Sequence, residues 1–300
     1  MSAIEVRDLR KAFGDTEAVR GVSFTVPEGS FFAFLGPNGA GKSTTISIIC
    51  SLQSADSGNV TIFGRDSSDP LVRRDIGVVL QESMLDGALT VRENISVRGS
   101  MYGLSGRELS ESVERALANA DATEFADRRY SQLSGGQRRR ADIARALVHG
   151  PRILLLDEPT SGLDPHTRSN IWDTVTRLNR ESGMTVFLTT HYMEEAADAD
   201  DVVIISHGEI VAHGTPAELR EEHCSDTMVV LPTDMDAVTG ILSGLDVGFE
   251  VDRDTVVIPL GSTLDALPIA ERLTGLMVSL EVRTGTLDDA FIRITGEAMS

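Results

Sequence analysis

Nine consecutive residues, Gly36 to Thr44, have the types and spacing of a phosphate-binding loop. They read Gly-Pro-Asn-Gly-Ala-Gly-Lys-Ser-Thr and match the pattern G-x-x-x-x-G-K-[ST] in full. Glycines let successive backbone N–H groups turn toward a phosphate, and a following helix adds its positive N-terminal end. The lysine can reach β- and γ-phosphates as a point charge, and the serine hydroxyl can take a Mg²⁺ position. The candidate ligands of the phosphates are Gly36, Pro37, Asn38, Gly39, Ala40, Gly41, Lys42, Ser43 and Thr44.

The sequence around this loop predicts the elements that must hold it. The apolar run Ser30–Leu35 before the loop predicts a buried strand, and Ser43–Ser51 after it predicts a helix. Ala3–Leu9 and Ala18–Val26 predict two earlier strands, with a turn at residues 14–15 and Phe13 in the connection between them. A strand followed by the loop and a helix is the context that the pattern requires. The alternative is a glycine-rich turn that matches by chance, which this context disfavours.

Two adjacent carboxylates, Asp157 and Glu158, follow the apolar strand Ile153–Leu156. Acidic side chains at the end of a buried strand are costly unless they face a ligand. Asp157 is therefore predicted to hold Mg²⁺ and Glu158 to polarise an attacking water, the two roles that phosphoryl transfer needs. The alternative is that the pair only caps the turn that follows.

Polar residues also follow two other predicted strands. Gln81 comes after residues 75–80, and His191 comes after Thr185–Thr190, where we expect it to contact the γ-phosphate. Ligands of open parallel sheets bind at this carboxyl edge. A second glycine-rich segment, Leu133 to Gln137, comes just before a predicted helix that Ser134 can cap. Its two glycines expose backbone N–H groups at a helix start, as those of the phosphate loop do.

Composition narrows the class of protein. Apolar residues make up 41% of 300 residues and the net charge is −19, so a globular chain without a general nucleic-acid-binding surface is expected. The only lysines are Lys11 and Lys42; a salt-rich cytoplasm or a codon bias toward arginine could each explain this. Two cysteines without metal spacing suit a reducing compartment. Neither a signal peptide nor a membrane-spanning run is predicted.

Together these motifs resemble the nucleotide-binding subunit of ATP-binding cassette (ABC) transporters over residues 3–220. The glycine-rich loop corresponds to Walker A, residues 153–158 to Walker B and residues 133–137 to the LSGGQ signature. Gln81 corresponds to the Q-loop, residues 161–164 to the D-loop and His191 to the switch histidine. Phe13 takes the place of the adenine-stacking aromatic, often a tyrosine, although an isolated phenylalanine is more often a packing residue.

The resemblance implies the architecture, cofactors and partners of that family. We expect ATP and Mg²⁺ as cofactors, a separate membrane-spanning permease as partner, a homodimer in the working state and no nucleic acid. The protein would lie on the cytoplasmic face of the membrane. Catalytic roles fall to Glu158, His191 and Gln81, and metal binding to Ser43, Gln81 and Asp157. ATP contacts fall to Phe13 and the Walker A residues, and across the dimer to Ser134, Gly135, Gly136, Gln137 and Asp164.

Softer motifs after His191 and at residues 210–219 and 286–296 resemble the exporter branch, which handles drugs, lipids or polysaccharides. The fold implied for residues 1–220 is an α/β P-loop NTPase core with an antiparallel β subdomain and a helical subdomain at about 85–150. A soluble ABC ATPase that acts on ribosomes or DNA is the alternative function. A nucleotide-binding regulator without turnover conflicts with the intact Glu158.

Residues 221–300 are expected to form a separate domain. The predicted order is a strand (227–231), a helix (235–242), two hairpin strands (247–251 and 255–259), a helix (264–273), a strand (277–282) and a last helix (287–294). This order is ferredoxin-like in its first six elements. No catalytic constellation occurs in this stretch. A regulatory or dimer-supporting role and a plain structural addition both remain open.

Overall fold

The computed structural model describes residues 1–245 and 247–296, and the chain forms two compact units. The first is Met1–Thr215 and the second begins at Pro216. The expected boundary between residues 220 and 221 falls inside a helix of the second unit, α7 (Pro216–His223). The strands of the first unit are β1 (Ser2–Phe13), β2 (Thr16–Pro27), β3 (Phe31–Leu35), β4 (Ser57–Ile62), β5 (Arg65–Asp66), β6 (Ile76–Val79), β7 (Ile153–Asp157), β8 (Thr185–Thr190), β9 (Asp201–Ser206) and β10 (Glu209–Gly214). Its helices are α1 (Lys42–Ile49), α2 (Val91–Met101), α3 (Gly106–Asn119), α4 (Gly135–Leu147), α5 (Pro165–Ser182) and α6 (Met193–Ala196).

A six-stranded sheet carries the motifs. Its order is β10-β9-β3-β8-β7-β6, and all neighbouring strands are parallel except the edge pair β9 and β10. The strands β3, β7 and β8 are buried along their whole length. The apolar runs of β3 and β7 predict this burial, whereas β8 buries three threonines together with its apolar residues. Register pairs Leu35 with Thr190 and Asp157 with Thr189. The carboxyl ends of the three strands therefore meet at one edge.

A second, antiparallel sheet of the first unit has the order β2-β1-β4-β5. The two strands of its long hairpin, β1 and β2, are 12 residues each. They are longer than the predicted strands Ala3–Leu9 and Ala18–Val26. Polar residues interrupt the apolar pattern of β1, but they lie on its exposed face and keep the strand paired. Phe13 is thus the last residue of a strand and not part of the connection.

Aromatic side chains join the two sheets of the first unit. The Phe24 ring of β2 lies 5.4 Å from Phe32 of β3, and Phe32 lies 5.3 Å from Phe187 of β8, in both cases near parallel. Phe34 completes this buried cluster. Such rings bury large apolar areas and add pair contacts worth about 1 kcal/mol each, so they fix the hairpin against the strand that precedes the phosphate loop.

The segment between β6 and β7 is helical, as predicted for residues 85–150. The spacing of Thr90 and Glu93 predicts a capping box, and the two residues form one at the start of α2. The amphipathic α3 buries Val113, Ala116 and Leu117 on one face, which agrees with its 3.6-residue periodicity.

The second unit contains a four-stranded antiparallel sheet of order β12-β13-β11-β14. Its helices α8 and α9 contribute to one core with β11 and β13, and α7 packs against α10. The elements after α7 are β11 (Asp226–Pro232), α8 (Met235–Gly244), β12 (Glu250–Asp252), β13 (Thr255–Leu260), α9 (Ala266–Arg272), β14 (Met277–Arg283) and α10 (Leu287–Thr295).

Two bounds in this unit differ from expectation. The strand expected from Val247 begins at Glu250. The helix expected from Leu264 begins as a 3₁₀ turn, Thr263–Asp265, and becomes α-helical at Ala266. Pro268 has no N–H to donate to the Leu264 carbonyl, so an α-helical turn cannot close there. Among residues 1–245 and 247–296, no helix is both long and apolar enough to cross a bilayer.

Candidate functional site

The phosphate loop connects β3 to α1, as the spacing predicts. Gly41 has a φ of 108°, a conformation that other residues rarely adopt. A Cβ at this position would also lie 2.4 Å from the carbonyl oxygen of Ala18 in β2. Only glycine lets the loop turn here beside the hairpin.

Lys42 is nearly fully buried, with 4% of the residue exposed. Its ammonium donates to the carbonyl oxygens of Gly36 at 2.7 Å and Pro37 at 3.1 Å, and lies 3.3 Å from a carboxylate oxygen of Glu158. Burial lowers the pKa of Lys42, and the nearby Glu158 opposes that shift. The amine is therefore held in place by the loop backbone and directed at the acidic residue after β7.

Asp157 faces the phosphate loop from the end of β7. One oxygen of its carboxylate accepts a hydrogen bond from the Ser43 hydroxyl at 3.3 Å and from the Thr189 hydroxyl at 2.6 Å. The carboxylate and the Ser43 hydroxyl are hard oxygen donors side by side, which suits Mg²⁺. Thr189 on β8 fixes the orientation of the carboxylate.

Glu158 adopts a strained backbone conformation, with a φ of 45°. Its N–H donates to the Thr189 carbonyl at 3.0 Å and approaches the Thr189 hydroxyl at 3.2 Å. The second carboxylate oxygen lies 3.5 Å from Nδ1 of His191. The glutamate thus stands between the lysine and the histidine, with a different oxygen toward each.

A cavity of about 470 Å³ opens between these groups. Ala18 and Ser161 line it together with nine of the predicted site residues, namely Asn38, Gly39, Gly41, Lys42, Ser43, Thr44, Gln81, Glu158 and His191. The nine predicted residues come from four separate segments of the chain, which therefore meet at the carboxyl edge of the sheet.

The remaining predicted residues do not line this cavity. Ser134 caps α4: its hydroxyl accepts from the Gln137 N–H, and the side-chain oxygen of Gln137 accepts from the Ser134 N–H. The two residues therefore form a capping box. Asp164 caps α5 through the N–H and hydroxyl of Thr167. Phe13 is 48% exposed at the end of β1. The others are Gly36, Pro37 and Ala40 within the loop, Asp157 behind it, and Gly135 and Gly136 at the start of α4.

Arg139 of α4 was not identified from the sequence. Its buried guanidinium donates to four backbone carbonyls: Leu80 at 2.6 Å, Glu158 at 2.8 Å, Asp157 at 3.3 Å, and Pro159. Burial lowers its pKa, which the charge of Asp142 opposes. One side chain therefore links the residue before Gln81 to the strained turn at Glu158.

Asp142, one helical turn after Arg139, was missed as well. Its carboxylate accepts a 2.6 Å hydrogen bond from Ser83, two residues after Gln81. Burial raises its pKa, although Ser83 and Arg139 favour the charged form. Arg145, a further turn along, donates to the Val78 carbonyl at 3.0 Å. The sequence did contain a signal for this network. Asp142 and Arg145 interrupt an otherwise apolar stretch, residues 141–147, and a charge that is buried there needs a partner.

A third network missed from the sequence surrounds Glu195 of α6. This buried carboxylate accepts from the hydroxyl of Thr160, two residues after Glu158, and from that of Thr190 at 2.5 Å, next to His191. Burial raises its pKa. It ties the turns after β7 and β8 together.

Comparison with known proteins identifies the family. Residues 19–161 match the family model described as ABC transporter. The chain is also 38% identical to the Nod factor export ATP-binding protein I of Rhizobium sp. (strain N33), over 99% of this chain and 98% of that protein. The chain belongs to the ABC transporter family, as the motifs predict.

Other relatives point to the same branch. The linearmycin resistance ATP-binding protein LnrL of Bacillus subtilis is 36% identical, with 99% of both chains covered. The daunorubicin/doxorubicin resistance ATP-binding protein DrrA of Streptomyces peucetius is 37% identical, over 98% of this chain and 92% of that one. These proteins serve export or drug resistance by name, which confirms the resemblance to the exporter branch.

Solved structures confirm the ABC ATPase fold. A dimeric post-hydrolysis ATP-binding cassette with bound ADP and Pi has a TM-score of 0.65 and 32% identity, and covers 71% of this chain and 98% of its own. CbiO1 of Clostridium perfringens, part of the cbiONQ complex, has a TM-score of 0.68 and 27% identity, over 82% of this chain and 96% of its own.

Proposed function

We propose that this chain binds and hydrolyses ATP to energise a membrane exporter. The observation that supports it best is the convergence of Lys42, Glu158, Gln81 and His191 on one cavity. A phosphate loop with an adjacent carboxylate supplies the positioning and water activation that phosphoryl transfer requires. The relatives with export and drug-resistance names extend this to transport, and they do not favour the soluble alternative.

The residues of the cavity divide the chemistry between them. The backbone of the phosphate loop cradles the phosphates, and Lys42 neutralises charge on the β- and γ-phosphates. Ser43 and Asp157 would hold Mg²⁺ with Gln81, and this ion supplies further charge neutralisation when bound. Glu158 accepts the proton of the attacking water. His191, beside Glu158, contacts the γ-phosphate.

A second copy of the chain completes the site. Ser134 to Gln137 do not line the cavity of their own chain, yet they form a helix N-terminus of the kind that binds anions, exposed at Ser134 and Gly135. We assign Ser134 and Gly136 to the γ-phosphate held by the partner's loop, with Asp164 at the same interface. A dimeric cassette with bound ADP and Pi is among the similar solved structures, which supports a dimer for this chain.

The membrane permease would dock beside Gln81. A groove of about 570 Å³ there is lined by Leu52, Met84 and Met101, all more than 60% exposed. Arg73, Arg74 and Arg98 also line it, a local positive charge in a chain of net charge −19. An amphipathic permease helix with an acidic residue fits this groove, and we propose that the chain works on the cytoplasmic face of the membrane when bound to it.

The second unit is proposed to be a ferredoxin-like accessory domain, regulatory or dimer-supporting. The element order β-α-β-β-α-β and the sheet order β12-β13-β11-β14 support this assignment. The first unit is then the nucleotide-binding domain, with its helical subdomain between β6 and β7.

Two experiments test the proposed function. Lys42→Ala should abolish ATP hydrolysis and weaken ATP binding, whereas Arg107→Ala, on the exposed face of α3, should hydrolyse normally. Normal hydrolysis by Lys42→Ala would refute the assignment.

Tagged Glu158→Gln, recovered from detergent-solubilised native membranes with ATP and Mg²⁺, should bring down a multi-span membrane protein in near-equal amount. The added change Met101→Glu in the groove should lose that protein, and recovery of ribosomal or DNA-repair proteins instead would favour a soluble ATPase.

A further inference from the structure

Lysine is almost absent from this chain. Of the 27 lysine and arginine residues, only Lys11 and Lys42 are lysines. Lys42 lies in the phosphate loop, where a compact point charge is required and a planar guanidinium does not fit. The second lysine therefore raises the question of which geometry an arginine could not supply at residue 11.

Lys11 lies against the predicted adenine-stacking residue. Its ammonium is 5.6 Å from the centroid of the Phe13 ring and 2.8 Å from a carboxylate oxygen of Asp56. The Lys11 side chain is 17% exposed, whereas Phe13 is 48% exposed. One side of the ring thus meets a partly buried cation, and a large part of the ring remains open to solvent.

Asp56 fixes both the lysine and the strand end that carries the ring. Its other carboxylate oxygen accepts from the Ala12 N–H at 2.7 Å, and its own N–H donates to the Arg10 carbonyl at 2.9 Å. The Lys11 and Ala12 hydrogen bonds lower the pKa of Asp56. Arg10, Lys11 and Ala12, the three residues before Phe13, are therefore all tied to this aspartate.

The same end of the hairpin borders the phosphate loop. The pairing of β1 with β2 shifts between Lys11 and Ala12, so that Ala18 has no partner in the register. Ala18 lines the phosphate cavity, and its carbonyl lies against Gly41. Phe13 thus stands on a strand end that is continuous with the wall of the cavity.

We propose that Lys11 is a positioning residue for the base of ATP: it holds one face of Phe13 so that the other face stacks on adenine. The inference rests on the proposed function, in which Phe13 receives the base. A cation over an aromatic ring is attracted by its negative face. The small ammonium binds the ring and Asp56 at once, whereas a planar guanidinium would stack on the ring and demand more of its surface. Phenylalanine has no hydroxyl to anchor it, so its orientation depends on such a neighbour.

The test separates base stacking from general charge. Two ligands are compared: ATP, and inorganic tripolyphosphate, which has no base. Their dissociation constants are measured by displacement of a fluorescent ATP analogue. The proteins are wild type, Lys11→Met, Phe13→Ala and the double variant. Lys11→Met should weaken ATP binding by roughly two- to fivefold and leave tripolyphosphate binding unchanged. In the Phe13→Ala background it should have no further effect on ATP. Arg107→Met, which removes an exposed cation on α3, should change neither ligand.

Each other outcome has its own meaning. Equal loss of ATP and tripolyphosphate in Lys11→Met would overturn the proposal, because the lysine would then act only through its charge. A loss that adds to that of Phe13→Ala would overturn it too, since the lysine would act independently of the ring. If Phe13→Ala weakens both ligands equally, or neither, the ring does not stack on the base and the inference fails with it. The proposed ATPase function stands or falls separately, on Lys42→Ala.

Discussion

The guanidinium of Arg139 donates a 2.8 Å hydrogen bond to the backbone carbonyl of Glu158, a residue whose φ is 45°. The strained conformation costs on the order of 1–3 kcal/mol and persists only where the surroundings fix it. Arg139 fixes it from α4, and Thr189 fixes it from β8. The helix that begins with the signature motif therefore determines where the carboxylate of Glu158 points.

Arg139→Lys should lower the rate of ATP hydrolysis more than it weakens ATP binding. Lysine keeps the charge but cannot donate to four carbonyls from one planar group, so the turn at Glu158 relaxes while the phosphate loop stays intact. We expect kcat to fall by about 10- to 100-fold, a size typical of a slightly misplaced catalytic group, with the dissociation constant of ATP within about threefold of wild type by this same argument. Steady-state kinetics and nucleotide titration measure the two. The exposed neighbour Arg138→Lys is the control, and an effect on binding alone would contradict the positioning role.

Glu158→Gln should bind ATP without turnover. The amide keeps the shape of the side chain but cannot accept the proton, and loss of a general base costs about 10²–10⁴-fold in rate. With ATP and Mg²⁺ the variant should accumulate as a dimer in size-exclusion chromatography with light scattering. Glu181→Gln, at the exposed end of α5, should behave as wild type. A variant that stays monomeric at saturating ATP would argue against the site shared between two chains.

Gly136→Ala should destabilise the start of α4. The new methyl group would lie 2.3 Å from Cγ2 of Thr167 in α5, and that side chain is held by its bond to Asp164. We expect a loss of about 1–3 kcal/mol, the usual cost of overpacking, and weaker ATP-dependent dimerisation. Thr167→Ser removes the methyl but keeps the hydroxyl, so it should restore stability in the double variant. Gly240→Ala, in α8 with open space around it, is the matched control. A double variant as unstable as Gly136→Ala would show that the contact is not the cause.

Acid should destabilise the first unit through His149. Burial, with the charges of Arg98 and Arg145, lowers its pKa from 6.5 to about 4, against the bond to the Ile76 carbonyl. Between these two values the unfolded chain binds more protons, so stability falls as the pH drops through that window. The loss between pH 7 and pH 5 is about 2 kcal/mol. Urea unfolding at both values, followed through the single tryptophan of the first unit, should show this loss in wild type. His149→Gln should show much less of it, and an unchanged pH difference would contradict the assignment.

Much of the fold and the nucleotide cavity followed from the sequence. Continuous apolar runs predicted β3 and β7, a strand was also predicted at Thr185–Thr190, and parallel strands place the residues that follow them at one edge of the sheet. Walker A, Glu158, Gln81 and His191 converge for that reason. Local patterns were sufficient because each motif sits directly at a strand end or a helix start.

The supporting contacts could not be predicted in the same way. Three arginines in a row, residues 138–140, leave open which one points inward, and only the packing of α4 against the carboxyl end of β7 selects Arg139. Likewise, the position of Asp56 beside Lys11 depends on the pairing of β1 with β4, which separates them by 45 residues along the chain. Such contacts are set by tertiary structure, and no short spacing records them.

The scarcity and shielding of lysine have a consequence for how this protein can be controlled. Acetylation and other acylations of lysine need an accessible amine, and the two lysine side chains are only 17% and 4% exposed. One bonds Asp56 beneath Phe13, and the other stands in the phosphate loop. Acylation of either lysine would therefore affect nucleotide binding directly. The chain offers no lysine that could be acylated without such an effect.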